Sequence, residues 1–382
     1  MMVEIESVAS LRRHLASAGD LEGAVLQGLD LRPERGRLRH TSFAGSVLLG
    51  CMLDGDQLER ALADGATVFP RLGERPYRCY RPTLYTAEEL LEGYRPGVPG
   101  SLLADSLDGA IYRAFDATRR SSDPVSIVET LAQRLHDHAI DDALQDLLQD
   151  PERPRRVVAI MGGHGLQRDD PVFAAVARIG RGLARAGYFV TTGGGPGAME
   201  AGNLGGWLAA EADAALDSAL QRLAGSPHYT SPGYLDVAID VLRTIGARGE
   251  SLAIPTWFYG HEPTNVFASH IAKYFANSLR EEGLLAIATY GVVYAPGSAG
   301  TLQEVFMDAA QNHYQTFACS SPMVFLGEEH WTRKVPALPL LRGLAGQRPW
   351  SDLLSVSDDP EEIVRFIVDH PPVYPAGDVQ EH

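Results

Sequence analysis

Lysine is almost missing from this sequence. Lys273 and Lys334 stand against 31 arginines, so chemistry built on a Schiff-base lysine, such as a pyridoxal-dependent decarboxylase, has almost no candidates. Cysteine is nearly as scarce. Cys51, Cys79 and Cys319 show neither metal-ligand spacing nor a disulfide pattern, which makes a reducing cytoplasm the expected setting. No apolar run approaches the roughly 18 residues of a membrane-spanning helix. The stretch from Met1 to Arg13 is charged and lacks the apolar centre of a secretory signal. Positive charge is short as well: 33 Lys and Arg face 49 Asp and Glu, a net charge of −16. That balance argues against a nucleic-acid groove as the main site. The 382 residues suffice for two domains, or for one large domain with additions.

What is present changes character near residue 150. Within residues 1–150, Leu26 and Leu31 are five apart, and Phe43, Leu48 and Leu53 repeat that spacing among small residues. Five-residue spacing fits neither a helix nor a flat strand. It fits a few coils of a pentapeptide-type β-helix or a pair of irregular hairpins. Helical patterning covers 56–64, 101–119 and 124–149, with Leu131, Leu135, Ile140, Leu144 and Leu147 as expected core contacts. Residues 67–100, rich in Pro, Tyr and Arg, read as loops with short strands. Asp150-Pro151-Glu152-Arg153-Pro154 then interrupts both patterns, so residues 1–150 are expected to form an accessory region and 151–382 a separate domain.

From 151 onward strands and helices alternate. Strands are predicted at 157–161, 188–192, 251–258, 290–295 and 322–326. Helices are predicted at 171–186, from 198, at 265–282, 301–315 and 360–368. Apolar strands with intervening helices make an α/β fold with a doubly wound parallel sheet, Rossmann-like in layout. Residues 211–250 exceed an ordinary crossover and read as a helical insertion.

Three glycine loops follow strands: 162–165, 193–197 and 297–300. Ligands of open α/β sheets sit at that edge. A dinucleotide fingerprint is absent, because Gly163-His164-Gly165-Leu166-Gln167-Arg168 lacks its third glycine and the second strand ends in Thr191-Thr192 without an acid. The G-x-x-x-x-G-K-[ST] loop of nucleoside triphosphatases is absent too. The stretch Pro296-Gly297-Ser298-Ala299-Gly300-Thr301-Leu302-Gln303-Glu304 is the most informative. A strand delivers the chain to a tight turn, the turn opens a helix whose free N–H groups suit an anion, and Glu304 lies about one turn into that helix. No metal ligand set and no bound cofactor are expected.

Gly193-Gly194-Gly195-Pro196-Gly197-Ala198-Met199-Glu200, followed about a hundred residues later by Pro296–Glu304, resembles the LOG family, long mislabelled as lysine decarboxylases. The family pattern is GGGxxGxM and then PGGxGTxxE, and the resemblance covers about residues 155–370. It implies a Rossmann-like fold and hydrolysis of the N-glycosidic bond of a nucleoside 5′-monophosphate, giving free base and ribose 5-phosphate. It also implies a homodimer or larger assembly. Glu304 matches the family glutamate. Gly297, Gly300 and Thr301 match the phosphate turn, and Gly193, Gly194, Gly195 and Gly197 the second loop. Arg280 is the nearest match to the catalytic arginine, with a surface arginine paired to a carboxylate as the alternative. Two departures stand out. Glu281 follows Arg280 where the family has a lysine, and Ser298 replaces a glycine, where a positive φ would be harder to adopt. Gly163 and Asn265 lie on the same edge and are further candidates for substrate contact. Glu200 reads as a first-turn acid, and the run Trp257-Phe258-Tyr259 either stacks on a base or packs in the core. A nucleotide-binding sensor without turnover, or a carrier of a phosphorylated cofactor, is the alternative on the same fold.

Overall fold

The computed structural model describes residues 3–120 and 124–374. The chain forms two compact units, Met1–Leu84 with Ala114–Leu147, and Tyr85–Arg113 with Leu148–His382.

In the first unit four short parallel strands lie in chain order: β1 (Glu4–Ile5), β2 (Val25–Gln27), β3 (Val47–Leu49) and β4 (Thr67–Phe69). Glu4 pairs with Val25, Val25 with Val47 and Val47 with Thr67. The strands stack in parallel at a repeat of about 21 residues, which excludes the hairpin pair and agrees with the expected few coils of a β-helix. Each step carries helical structure: Val8–Ala18, then Arg32–Leu38, then Gly55–Ala63. The last opens on a reciprocal cap between Asp54 and Gln57. The five-residue spacing marks residues that share one core: Leu26 and Leu48 are strand residues, and Leu31 and Phe43 enter from the connections. The helix Ile127–Leu148 buries Ala132, His136, Ala139, Ile140, Ala143 and Leu144. Leu131, expected inside, is 50% exposed, because the i, i+4 stripe of small residues turns it outward.

The second unit holds a seven-stranded parallel sheet. Its strands are β5 (Val157–Met161), β6 (Phe189–Thr192), β7 (Leu252–Ala253), β8 (His270–Ile271), β9 (Val292–Tyr294), β10 (Met323–Leu326) and β11 (Leu354–Ser357), in the order β11-β10-β9-β5-β6-β7-β8. Helices connect most of these parallel strands, which gives the expected α/β Rossmann-like fold. Pro171–Arg185 starts cleanly, with Asp170 accepting from the Val172 N–H and proline in the first turn. Residues 211–250 contain the helices Asp213–Leu223 and Tyr234–Ile245.

Two expectations fail here. Residues 265–276 are not helical. Asn265 closes a local turn by accepting from the Phe267 N–H, and the chain then runs extended as β8. Val266, Phe267, Ala268, Ile271, Ala272, Tyr274 and Phe275 are all buried, and an apolar run buried on all sides carries no periodicity to separate strand from helix. The helix is Asn277–Ile287, so Arg280 sits in its first turn rather than near its end. Strand β11 went unread because Leu-Ser-Val-Ser is short and half polar. Tyr85–Arg113 groups with the sheet: Tyr85 bridges Ile271, and Asp108 is bonded to Lys273.

Candidate functional site

The strand order fixes where a ligand can sit. From β5 the chain moves outward through β6, β7 and β8, then returns to the other flank of β5 as β9. The crevice at the C-terminal ends of β5 and β9 is the switch point of the sheet. An open cleft of about 570 Å³ lies there, walled by residues 163–167 on one side and Pro296, Gly297 and Ser298 on the other. The Gly163 N–H donates to the Pro296 carbonyl at 3.1 Å and joins the two walls.

The helix Ala299–Tyr314 begins at this cleft. Ser298 gives it no side-chain cap, so its first N–H groups face outward at the positive end of the helix dipole. Gly297 is required by close approach: a Cβ there would fall 2.1 Å from Thr301 Oγ1. Ser298 has φ −114° and ψ −150°, an extended conformation open to any residue. The expected difficulty with serine at this turn does not arise.

Glu304 projects from the second turn of that helix toward Arg280. The Arg280 Nη1 lies 3.9 Å from Glu304 Oε1, and the two side chains are only 10% and 15% exposed. Arg280 is aimed by backbone: Nε donates to Ile254 O at 2.9 Å and Nη2 to Gly193 O at 3.4 Å. Gly193 makes room for it, since a Cβ there would meet Arg280 Nη2 at 2.3 Å. Burial, opposed by Arg280 and reinforced by Glu281, pushes the Glu304 carboxyl up to about 7. It can therefore exchange a proton near neutrality. Glu281 accepts from Tyr259 at 2.9 Å, Asn277 at 2.6 Å and Gln303 at 2.9 Å. One turn beyond Glu304, Asp308 is buried against the Tyr294 hydroxyl at 2.8 Å, and burial pushes its carboxyl up to about 7, with Tyr294 opposing.

The second loop has different surroundings. Gly193, Gly194, Gly195 and Gly197 are all buried. The Gly194 N–H donates to Thr192 Oγ1 at 3.0 Å. Asn265 is committed as well: its amide donates to Asn203 Oδ1 at 2.9 Å while its oxygen accepts from Phe267. Asn265 is thus tied to the helix Ala198–Trp207 that follows the second loop. Glu200 is buried in a two-point ion pair with Arg168, at 2.8 and 2.5 Å, and accepts from the Tyr234 hydroxyl at 2.6 Å. Trp257 is fully buried and donates to Asp108, whereas Phe258 and Tyr259 are exposed. Lys273 Nζ lies 2.7 Å from Asp108 Oδ1, so one of the two lysines is fully engaged. Asp108 is held well below the usual carboxylate range, because Lys273 and His261 outweigh the opposing effect of burial.

No protein-family model and no curated protein matches this sequence. Among solved structures, the chain is similar to a molybdenum cofactor binding protein from Rippkaea orientalis, at 15% identity over 56% of this chain and 96% of that one, with a TM-score of 0.36. It is similar to the molybdenum cofactor carrier protein of Chlamydomonas reinhardtii at 14% identity, 56% and 97% coverage and a TM-score of 0.33. The protein designated TM1055 aligns at 22% identity, 56% and 99% coverage and a TM-score of 0.36. The fold assignment rests on the strand order of the chain itself. Among the described residues no helix is long and apolar enough to cross a membrane.

Sequence reasoning missed the Asp108–Lys273 pair and the Arg168–Glu200–Tyr234 cluster. Partners 165, 32 and 34 residues apart leave no spacing signal. The rarity of lysine was the one available hint.

Proposed function

We propose that this protein hydrolyses the N-glycosidic bond of a nucleoside 5′-monophosphate, releasing base and ribose 5-phosphate. The observation that carries the reading is the convergence of Arg280 and Glu304 beside an uncapped helix N-terminus at the switch point. The uncapped N–H groups at Ala299–Thr301 suit a 5′-phosphate. Water attacks C1′ as the glycosidic bond breaks. The bonding pair leaves with the base nitrogen, which gains a proton, and the ribosyl centre is oxocarbenium-like on the way. Glu304 in its ionised form stabilises that positive charge and takes the proton of the attacking water. Arg280, held by two backbone carbonyls, orients Glu304.

One feature favours a second reading, a protein that binds or carries a phosphorylated compound without cleaving it. Glu281 stands where the LOG pattern has a lysine and adds negative charge next to Glu304. Incubation with AMP, GMP, CMP and UMP, followed by assay of free base and ribose 5-phosphate, separates the two. Stoichiometric release of both products supports hydrolysis. Saturable binding with no base released overturns it in favour of the carrier reading.

A further inference from the structure

The cleft has a second chemical character on the wall opposite the phosphate turn. His164, exposed at the tip of the first loop, lines it. The Tyr229 ring meets His164 edge-on, with centroids 5.9 Å apart and planes at 67°. His228 lies against Tyr229 at 4.4 Å and 35°. Neither Tyr229 nor His228 belongs to a strand or a helix. Both come from the inserted segment between the helices Asp213–Leu223 and Tyr234–Ile245.

That segment is fastened to the first loop at several points, all through Arg168. The Arg168 side chain is 0% exposed. Its backbone N–H donates to Pro227 O at 3.0 Å, and Nη1 donates to Tyr234 O at 2.9 Å and Ser226 O at 3.4 Å. Glu200 fixes the other edge of the guanidinium, which also lies 3.3 Å from the centroid of the Tyr234 ring. Residues 226 to 234 are thus pinned at both ends to a residue four positions from His164. A buried arginine bonded on every side is a costly way to hold a surface turn unless the position of the turn matters.

We propose that His164, backed by Tyr229 and His228, is the platform on which the base of the bound nucleotide lies. The inference rests on the preceding reading in one respect, that a nucleoside monophosphate occupies this cleft. The walls are complementary to its two ends: N–H donors at 297–301 for the phosphate and the His164 ring for the planar base. Every base has a π-face, so such a platform favours nucleotides as a class over bare sugar phosphates and leaves identity to other contacts. Because Arg168 already fixes the backbone on both sides of Tyr229, less entropy is lost when the base arrives.

The test is equilibrium binding of AMP and of ribose 5-phosphate to the full chain carrying Glu304→Gln, so that bound nucleotide stays intact, with circular dichroism to check folding. AMP is expected to bind more tightly than ribose 5-phosphate. His164→Ala should weaken AMP by roughly five- to a hundredfold and leave ribose 5-phosphate unchanged. Tyr229→Ala should cost less, and Tyr229→Phe should restore the affinity. Equal losses for both ligands, no loss for either, or no preference for AMP before mutation would overturn the platform. Base release by the unmutated enzyme with an unchanged KM in His164→Ala removes the platform and leaves the hydrolase reading standing. AMP selectivity that depends on His164, without any base release, does the reverse. A chain that binds no nucleotide removes both.

Discussion

The two glycine loops that look alike in the sequence are opposites in the structure. Residues 193–197 are buried, and Gly193 lies directly under Arg280. Residues 298–300 are exposed at an uncapped helix start. Glycine serves different ends in the two places. At Gly193 its value is closeness to the Arg280 guanidinium. At Gly300 a Cβ would meet nothing within 4 Å, so the protein itself gives no steric reason for glycine there. The buried loop is a foundation for Arg280, and the open loop presents an uncapped helix start to the cleft.

The contrast breaks most sharply at Glu304, which the open loop's helix carries toward the arginine seated on the buried loop. Glu304→Gln keeps the shape and removes the charge. Base release from AMP should fall by about 10²–10⁴-fold, the range for losing a positioned acid–base group or charge stabiliser, while nucleotide binding persists. A variant that kept full turnover would end the mechanism. Next in size is Gly193→Ala. With a Cβ 2.3 Å from Arg280 Nη2 and 2.8 Å from Met199 Sδ, the guanidinium must move. A displaced positioning group costs about 10²-fold in kcat, and the forced contact costs about 1–3 kcal/mol in chemical unfolding. Activity equal to that of the unmutated protein would mean that Arg280 does not act from this position.

How much of this was readable in advance follows the same division. Local features were legible: the strand at 157–161, the helix from 171, and the turn at 296–304 with its carboxylate. Each depends on neighbours a few residues away. The Arg280–Glu304 pairing was reached only through resemblance, and the helix carrying Arg280 was placed a turn or more too early. Its true start follows from β8, whose residues are buried all round. In the first unit the five-residue spacing pointed to stacked coils, but not to the helix that each coil carries. The coil is about 21 residues long, longer than any window in which hydrophobic spacing is counted. Pairs such as Lys273 with Asp108, far apart in sequence, depend on the completed sheet.

Acid–base behaviour gives a smaller and independent test. The Glu304 carboxyl is raised from 4.5 to about 7 in the folded chain. A carboxyl raised by folding is more easily protonated in the native state, so its contribution to stability is full below about pH 4.5 and is lost as pH rises through about 7. Glu304→Gln should therefore unfold at nearly the same temperature as the unmutated chain at pH 4.5. It should become the more stable of the two above pH 7, by a few degrees. Asp308, raised from 3.8 to about 7, is expected to follow the same sign in Asp308→Asn. A Glu304→Gln advantage that grew toward acid pH would contradict the buried, raised carboxyl.

The smallest effects sharpen the open loop. Gly300→Ala places a better helix former in an uncrowded first turn, which should stabilise the fold by about 0.5–1 kcal/mol. If the turn receives a phosphate, the same methyl group intrudes on that space and weakens ribose 5-phosphate binding several-fold. Stability and affinity would then move in opposite directions at one residue. Ser298→Gly completes the series. Serine sits there at φ −114° without strain, so a glycine in its place relieves nothing. Its effect on unfolding should stay within about 0.5 kcal/mol, the range of an ordinary surface change, and ribose 5-phosphate affinity should stay within twofold. A large gain in affinity on removing the hydroxymethyl group would mean that Ser298 obstructs the anion and that the turn is tuned against phosphate.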